Sequence, residues 1–195
     1  YEMFRAAVIA SINANFIDVG TLYHKFHYDE VLERLFEENL VIDHVQQAYE
    51  IVCNSKSVAI LLDNAGEAVI DMALAYALRL KGVNVSAVVK GGTYQNDITY
   101  DEFVKLGLDR YVDRIISTES DAPSLMKGYV TKEVLDKVWS HDLIIAKGMA
   151  HLETLLYVKP VKPILHLLAV KCRPNARRLG VPVKSKVAYI RRPDG

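Results

Sequence analysis

The amino-acid sequence predicts an α/β protein, a three-layer α/β/α sandwich with a mainly parallel sheet and a helical N-terminal part. Short apolar runs, such as VAILL at 58–62 and VSAVV at 85–89, alternate with longer segments in which apolar residues recur at helical spacing. The short runs are apolar almost throughout, as expected of strands that helices cover on both faces.

The elements follow in chain order. The first 55 residues predict helices at 3–15, 28–39 and 42–53. We expect this helical part, residues 1–55, to precede an α/β/α catalytic domain at 56–195. In that domain, strands are predicted at 57–62, 84–89, 111–117, 142–146, 163–169 and 186–190. Helices are predicted between them at 66–80, 99–106, 131–139, 149–157 and 174–179.

Composition and charge argue against several classes of function. The 195 residues include 24 basic and 24 acidic side chains, so no net field favours nucleic acid or an anionic membrane. No apolar run approaches the roughly 18 residues that a membrane-spanning helix needs. Cys53 and Cys172 have no metal-type spacing and suggest no disulfide framework, which favours a cytoplasmic protein.

Common nucleotide-binding and hydrolase motifs do not occur in the sequence. There is no P-loop, no G-x-G-x-x-G, no G-x-S-x-G and no C-x-x-C. Their absence argues against an ordinary P-loop NTPase, a Rossmann dehydrogenase and a serine hydrolase.

Polar side chains stand where the predicted strands end, which is where open α/β sheets bind ligands. The first strand of the sheet ends in Asp63 and Asn64, and the loop after the next strand carries Asp97. Lysines follow three of the strands, at Lys90, Lys147 and Lys171. Asp and Asn oxygens suit Mg²⁺ or Mn²⁺, whereas lysines and helix N-termini suit a phosphate. The pattern predicts a metal and phosphate site at one edge of the sheet.

Helix capping is the alternative explanation for two of these residues. Asn64-x-x-Glu67 has the spacing of a capping box, and Asp97 could cap the helix that follows it. Capping gives no role to Asp63, and it does not explain why other strands end in lysine. We therefore favour a site that Glu67 can reach, with Asp71, one turn deeper in the helix, supporting the structure.

Two histidines are candidates of different kinds. His151 follows Lys147 closely and stands where it can contact a ligand. His166 lies inside an apolar strand, so we expect it to be a hydrogen-bonded core residue.

Five motifs, in this order, resemble the damage-control phosphatases, a family of metal-dependent phosphatases long catalogued as a domain of unknown function. They are SINANFIDVGTLYH, LLDNAGEAVID, VVKGGTYQNDITYDE, DLIIAKGMAHLETL and LLAVKCRPNARRLGV. The likeness covers nearly the whole chain and is greatest to the archaeal and bacterial branch. It implies an α/β/α sandwich with a helical N-terminal part. It also implies metabolite repair by hydrolysis of phosphate monoesters, such as sugar phosphates or damaged phosphometabolites, with Mg, Mn, Co or Ni.

The resemblance also implies roles for individual residues. The metal ligands fall on Asp63, Asn64 and Asp97. The substrate and phosphate side of the site falls on Asn15, Asp18, Lys147, Gly148 and Lys171.

The chain departs from the pattern of that branch at two positions and at its start. Ala14 stands where Gly is usual, and His151 stands where Asn is usual, so we include His151 among the substrate-side residues. The chain begins at Tyr1, inside a helical pattern and without the further helical sequence typical of the branch. We therefore expect it to be part of a longer protein.

The leading hypothesis is a metal-dependent phosphomonoester hydrolase that acts on a small phosphorylated metabolite. The metal polarises the phosphoryl group and activates a water, while Glu67 orients that water or acts as general base. A covalent role for Asp63 as nucleophile stays open. Two other functions also stay open: an S-adenosylmethionine-dependent protein carboxyl methyltransferase, and a non-enzymatic phosphometabolite sensor.

Overall fold

A computed structural model of the protein describes residues 1–15 and 34–193. The strands are β1 Leu40–Asp43, β2 Ser57–Leu61, β3 Asn84–Val89, β4 Arg114–Ser117, β5 Leu143–Lys147, β6 Ile164–Ala169 and β7 Lys186–Arg191. The helices are α1 Glu2–Ala14, α2 Val45–Cys53, α3 Ala65–Arg79, α4 Tyr100–Lys105, α5 Lys132–Trp139, α6 Gly148–Leu155 and α7 Arg173–Leu179. A short 3-10 helix, Leu108–Tyr111, precedes β4.

The structure describes only part of one helix that the sequence predicts. Half of the helix predicted at 28–39, residues 28–33, lies outside the described residues, and within 34–39 the prediction is wrong because only Arg34 is helical. Within 1–15 and 34–193, no helix combines the length and the apolar character needed to cross a membrane.

The strands form one sheet in the order β1-β7-β6-β5-β2-β3-β4. The strands from β6 to β4 in this order are parallel, as predicted, whereas β7 is antiparallel to β6 and β1 is parallel to β7. From β2 the chain moves to β3 and β4 on one side and then crosses to β5 and β6 on the other. The reversal places a switch point between β2 and β5, where open α/β sheets bind their ligands.

Alternate residues of the strands face two helical layers. In β2, Val58 and Ile60 belong to a core that includes residues of α1, α2 and α3. Ala59 and Leu61 face the opposite core, which includes residues of α5 and α6. All four side chains are fully buried. Burial on both faces explains why this strand is apolar without alternation, and the three-layer prediction is confirmed.

The expectation of a wholly helical N-terminal part is wrong at residues 40–43. These residues form β1, in which Leu40 is opposite Lys186 and Asp43 is opposite Ala188. The N-terminal part also shares its core with the sheet, because Phe4, Val8 and Ile12 of α1 are buried in the same cluster as the β2 side chains. Residues 1–15 and 34–55 are therefore packed as part of the α/β/α body.

Truncation of Ile12 tests this shared core. Ile12 is completely buried in the cluster that α1, α3 and the sheet share. We expect Ile12→Ala to lower the free energy of unfolding by about 2–5 kcal/mol in urea denaturation, with one cooperative transition. Met3→Ala on the same helix, where the side chain is 56% exposed, should change it by less than about 0.5 kcal/mol. A separate transition for α1 would contradict the shared core.

Candidate active site

The loops after β2 and β3 bring Asp63, Asn64 and Asp97 together. Asn64 and Asp97 form an isolated antiparallel bridge. Beside it, the backbone N–H of Ile98 donates to the carbonyl oxygen of Asp63 at 2.9 Å. The loops are thus closed onto each other just beyond the carboxyl ends of two adjacent parallel strands. The three predicted metal ligands are neighbours in space, at the edge of the sheet that carries the switch point.

Neither of the capping explanations holds in the structure. Asn64 occupies the N-cap position of α3, but its side chain makes no capping hydrogen bond. Instead its Nδ2 donates to Glu67 Oε1 at 2.5 Å. Asp97 is not the cap of α4, because Thr99 fills that position and forms a capping box with Glu102. Capping therefore does not account for the side chain of Asn64 or of Asp97.

Lys147, the last residue of β5, is completely buried beneath the site. Its Nζ donates to the carbonyl oxygen of Ser11 at 2.6 Å and lies 3.1 Å from Asp71 Oδ1 and 3.4 Å from Glu67 Oε2. The Ser11 hydroxyl also donates to Asp71 Oδ1, at 2.6 Å. Buried charges are costly unless they are paired, and these are paired. Lys147 was expected to contact phosphate directly, but its ammonium group is instead enclosed by carboxylates. Asp71 lies beneath the site, where a supporting residue was expected.

Lys90 is the corresponding partner of Asp97. It follows β3 directly and is 2% exposed. Its Nζ lies 3.3 Å from Asp97 Oδ2 and donates to the carbonyl oxygen of Ala122 at 2.9 Å. Burial lowers the pKa of Lys90, and the charge of Asp97 opposes that change. In the sequence, Lys90 was marked only by its position at the end of a predicted strand. That position does not indicate that Lys90 contacts Asp97.

The site has an excess of negative charge. Four carboxyl groups, from Asp63, Glu67, Asp71 and Asp97, lie near the two buried ammonium groups of Lys90 and Lys147, so the site carries two formal negative charges when all four are ionised. Burial, followed by the charges of Glu67 and Asp97, raises the pKa of Asp63 to about 8, although nearby lysines oppose the shift. One divalent cation would balance this excess.

The side chains present also fit a small divalent cation in their chemistry. Asp63 and Asp97 offer carboxylate oxygens, and Asn64 offers its carbonyl oxygen because its amide nitrogen bonds Glu67. Such oxygen ligands suit Mg²⁺ or Mn²⁺, and Mg²⁺ keeps several water ligands of its own. Among the residues the structure describes, no three His, Cys, Asp or Glu side chains form a metal cluster by themselves. A cation here would therefore need the Asn64 amide and water in addition to the two carboxylates.

Gly148 allows the Asp63 carboxylate to occupy its position. The helix α6 begins at Gly148, which has φ of +72°. A Cβ atom added there would collide with the carboxylate of Asp63. The first N–H groups of α6 therefore lie beside Asp63, in a position that suits an anionic ligand.

Asn15 closes the site from the end of α1. Its Oδ1 accepts from the backbone N–H of Ala169 at 3.0 Å, and its Nδ2 donates to Glu67 Oε1 at 2.7 Å. The same Nδ2 lies 3.4 Å from Asp63 Oδ2. Asn15 thus borders the site, in agreement with the sequence interpretation, through contacts with protein side chains.

The two histidines differ from the sequence interpretation. His151 is buried, and its ring nitrogens bond Ser124 Oγ at 2.8 Å and the carbonyl oxygen of Leu62 at 3.1 Å. It links a loop to the end of β2 instead of facing a ligand, and burial lowers its pKa to about 3, so the ring is neutral. His166 is buried, but within residues 1–15 and 34–193 neither of its ring nitrogens has a hydrogen-bond partner. The prediction that His166 is hydrogen-bonded is therefore wrong.

Lys171 and Asp18 complete the set of predicted residues. Lys171 is exposed and follows β6 closely. Its positive charge acts to lower the pKa of Asp63, against the larger effect of burial. Its ammonium group is thus within electrostatic reach of the site, on a side open to solvent. Asp18 lies outside the described residues.

The fold and this arrangement agree with a comparison at family level. Residues 1–187 match the sequence model described as the damage-control phosphatase ARMT1-like domain. The chain belongs to this family, and the resemblance seen in its motifs is confirmed.

Individual relatives come from archaea. The chain is 33% identical over 192 residues to a damage-control phosphatase of Archaeoglobus fulgidus, covering 97% of this chain and 66% of the relative. It is 32% identical over 194 residues to an uncharacterised protein of Methanocaldococcus jannaschii, covering 97% of this chain and 64% of that protein.

A solved structure supports the fold. The crystal structure of a DUF89 family protein from Pyrococcus horikoshii matches with a TM-score of 0.85 and 29% identity, covering 95% of this chain and 65% of that one. The agreement confirms the α/β fold. The chain spans about two thirds of the length of these relatives.

Substitution of Gly148 tests its contact with Asp63. Because a side chain at 148 needs a positive φ and the space of the Asp63 carboxylate, we expect Gly148→Ala to destabilise the protein by about 1–3 kcal/mol. It should also weaken Mn²⁺ binding, measured by calorimetry. Gly66→Ala in α3 is the control, since a Cβ there meets nothing within 4 Å. Unchanged Mn²⁺ affinity in Gly148→Ala would contradict this arrangement.

The pKa of Asp63 predicts a pH dependence of stability without metal. A carboxyl group with a pKa of about 8 when folded and about 4 when unfolded holds a proton only in the folded state between these values. The free energy of unfolding therefore falls as pH rises from about 4 to about 8. In chemical denaturation with EDTA, Asp63→Asn should remove the part of this decline between about pH 6 and 8, because burial raises the pKa of Asp71 only to about 6. The exposed Asp101→Asn should retain the whole decline. Parallel pH profiles for wild type and Asp63→Asn would contradict the shift.

Proposed function

We propose that the protein is a divalent-metal-dependent phosphatase that hydrolyses phosphate monoesters of small metabolites. The observation that carries the proposal is the convergence of Asp63, Asn64 and Asp97 beyond the carboxyl ends of β2 and β3, beside the switch point of the sheet, in a site with more carboxyl groups than buried ammonium groups. Membership of a family described as damage-control phosphatases supports it, as does the relative of that name in Archaeoglobus fulgidus.

The residues around the site suit a phosphate ester in their charges. A divalent cation held by Asp63, Asn64 and Asp97 would supply Lewis-acid stabilisation of the charge on the phosphoryl oxygens. The N–H groups at the start of α6, beside Asp63, and the positive charge of Lys171, which acts on Asp63, would balance the remaining phosphate charge. Phosphoryl transfer depends mainly on such positioning and charge stabilisation, so this set of groups suits that reaction.

Asp63 has two possible parts in the chemistry. It orients a water that attacks phosphorus, or its own carboxylate oxygen attacks phosphorus while the ester oxygen leaves with the bonding electrons and takes a proton from water. The second route forms an acyl phosphate, which water then hydrolyses to release inorganic phosphate and restore the carboxylate. Rapid-quench trapping of an acyl phosphate on Asp63 would establish the second route, and a burst of free phosphate without trapped enzyme would establish the first.

Phosphate release is the direct test of the proposal. We expect p-nitrophenyl phosphate and some sugar phosphates to be hydrolysed with Mg²⁺, Mn²⁺, Co²⁺ or Ni²⁺ and not with EDTA. Asp97→Asn, which removes a charged ligand, should lower kcat/KM by about 100-fold or more. Asp101→Asn makes the same chemical change at an exposed position on α4 and should retain activity. Tight ligand binding by folded full-length protein, with no turnover under any of these metals, would instead indicate the phosphometabolite sensor.

A further inference from the structure

We infer that Glu67 is a positioning residue of the metal site and not its general base. With Lys147 behind it, Glu67 holds the amide of Asn64 so that the Asn64 carbonyl oxygen is presented to the cation. The inference rests on the metal site of the proposed function. It assigns to Glu67 a role different from the one expected from the sequence.

Glu67 is enclosed by donor groups of the protein. Its Oε1 accepts from Asn64 Nδ2 at 2.5 Å and from Asn15 Nδ2 at 2.7 Å. Its Oε2 lies 3.4 Å from Lys147 Nζ in an ion pair and has no hydrogen-bond partner among the described residues, and Glu67 as a whole is 2% exposed. A general base must reach the proton it takes, directly or through one water. Glu67 instead faces two amide groups and one ammonium group, all of which belong to the protein.

The contacts of Glu67 determine the orientation of Asn64. A carboxylate paired with an ammonium group only accepts hydrogen bonds, so Asn64 must turn its NH₂ group toward Glu67. If the amide were reversed, two oxygen atoms would lie 2.5 Å apart without a proton between them. The carbonyl oxygen of Asn64 is therefore the atom left for a cation. The amide of Asn15 is oriented in the same way: its Oδ1 accepts from Ala169 N, so its Nδ2 is turned toward Glu67.

This orientation explains why an amide follows Asp63 in the sequence. An aspartate at position 64 would have no donor for Glu67 Oε1 and would place a second negative charge against it. Asparagine supplies a donor on one side and an oxygen ligand on the other. It also keeps the excess charge of the site at two, which one divalent cation balances.

Substitution of Glu67 by glutamine separates the two roles. Glutamine has one oxygen and one NH₂ group, whereas all three partners of Glu67 are donors, so one contact must place donor against donor. We expect Glu67→Gln to raise the Mn²⁺ dissociation constant of the metal-stripped full-length protein by about 10- to 100-fold. Isothermal calorimetry with Mn²⁺ measures it. The turnover lost in this variant should be recovered as Mn²⁺ is raised.

A matched control and a compensating variant complete the experiment. Glu153 Oε1 accepts from Asn175 Nδ2 at 2.7 Å, so Glu153→Gln makes the same change in a similar Asn–Glu pair on the outer part of α6. It should leave the Mn²⁺ affinity unchanged. The double variant Asn64→Asp/Glu67→Gln exchanges donor and acceptor between these two side chains at constant net charge, so it should bind Mn²⁺ more tightly than Glu67→Gln alone. If Glu67→Gln is less stable than wild type, the comparison of the double variant with Glu67→Gln still distinguishes a positioning role of Glu67 from a general loss of stability.

Three results would be decisive. Unchanged Mn²⁺ affinity in Glu67→Gln, together with a loss of about 100-fold or more in kcat at saturating metal, would overturn the inference and mark Glu67 as the base. A fall in Mn²⁺ affinity in a protein that hydrolyses no phosphate ester would support the inference while the phosphatase proposal fails. A wild-type protein that binds no Mn²⁺ would overturn the metal site and the inference together.

Discussion

The site depends on one buried cation, the ammonium group of Lys147. It lies at the end of β5, donates to a carbonyl oxygen of α1 and forms ion pairs with the carboxylates of Glu67 and Asp71 on α3. Three separate elements are thus joined where the chain crosses the sheet. Removing one member of a buried ionic group typically costs about 3–5 kcal/mol, because the remaining charge loses its partner. Lys147 therefore allows Glu67 and Asp71 to be buried together, as Lys90 does for Asp97.

Much of the fold was predictable because its strands are covered on both faces. A continuous apolar run bounded by polar residues marks such a strand clearly, and β3 has the predicted bounds, 84–89. Two features were not predictable in the same way. The strand β1 has four residues at a sheet edge, with an alternating burial pattern too short to distinguish from the start of the next helix. The reversal of β7 relative to β6 is a property of pairing, which no local pattern reports.

The candidate site was predicted in position but not in the direction of its side chains. The strand-end rule marked Asp63, Asn64 and Asp97, and the structure brings them together. It also marked Lys147, whose side chain follows the two-residue alternation of β5 and turns, like that of Ile145, into the core shared with α1 and α3. His151 turns toward Ser124 and the backbone of Leu62 for a similar reason, since its position in α6 faces the interior. Proximity to a strand end therefore does not by itself indicate contact with a ligand.

The bridge between Asn64 and Asp97 has a consequence for the order in which the site is made. All three proposed ligands belong to a single β-α-β unit, whereas Lys147 and Gly148 occur about 50 residues later in the chain. During synthesis from the N-terminus, the ligand set and Lys90, the partner of Asp97, are complete before Lys147 exists. Until β5 is added beside β2, Glu67 and Asp71 have no ammonium partner and must remain hydrated. The crossover that creates the switch point therefore also determines the stage of synthesis at which Glu67 and Asp71 can be buried.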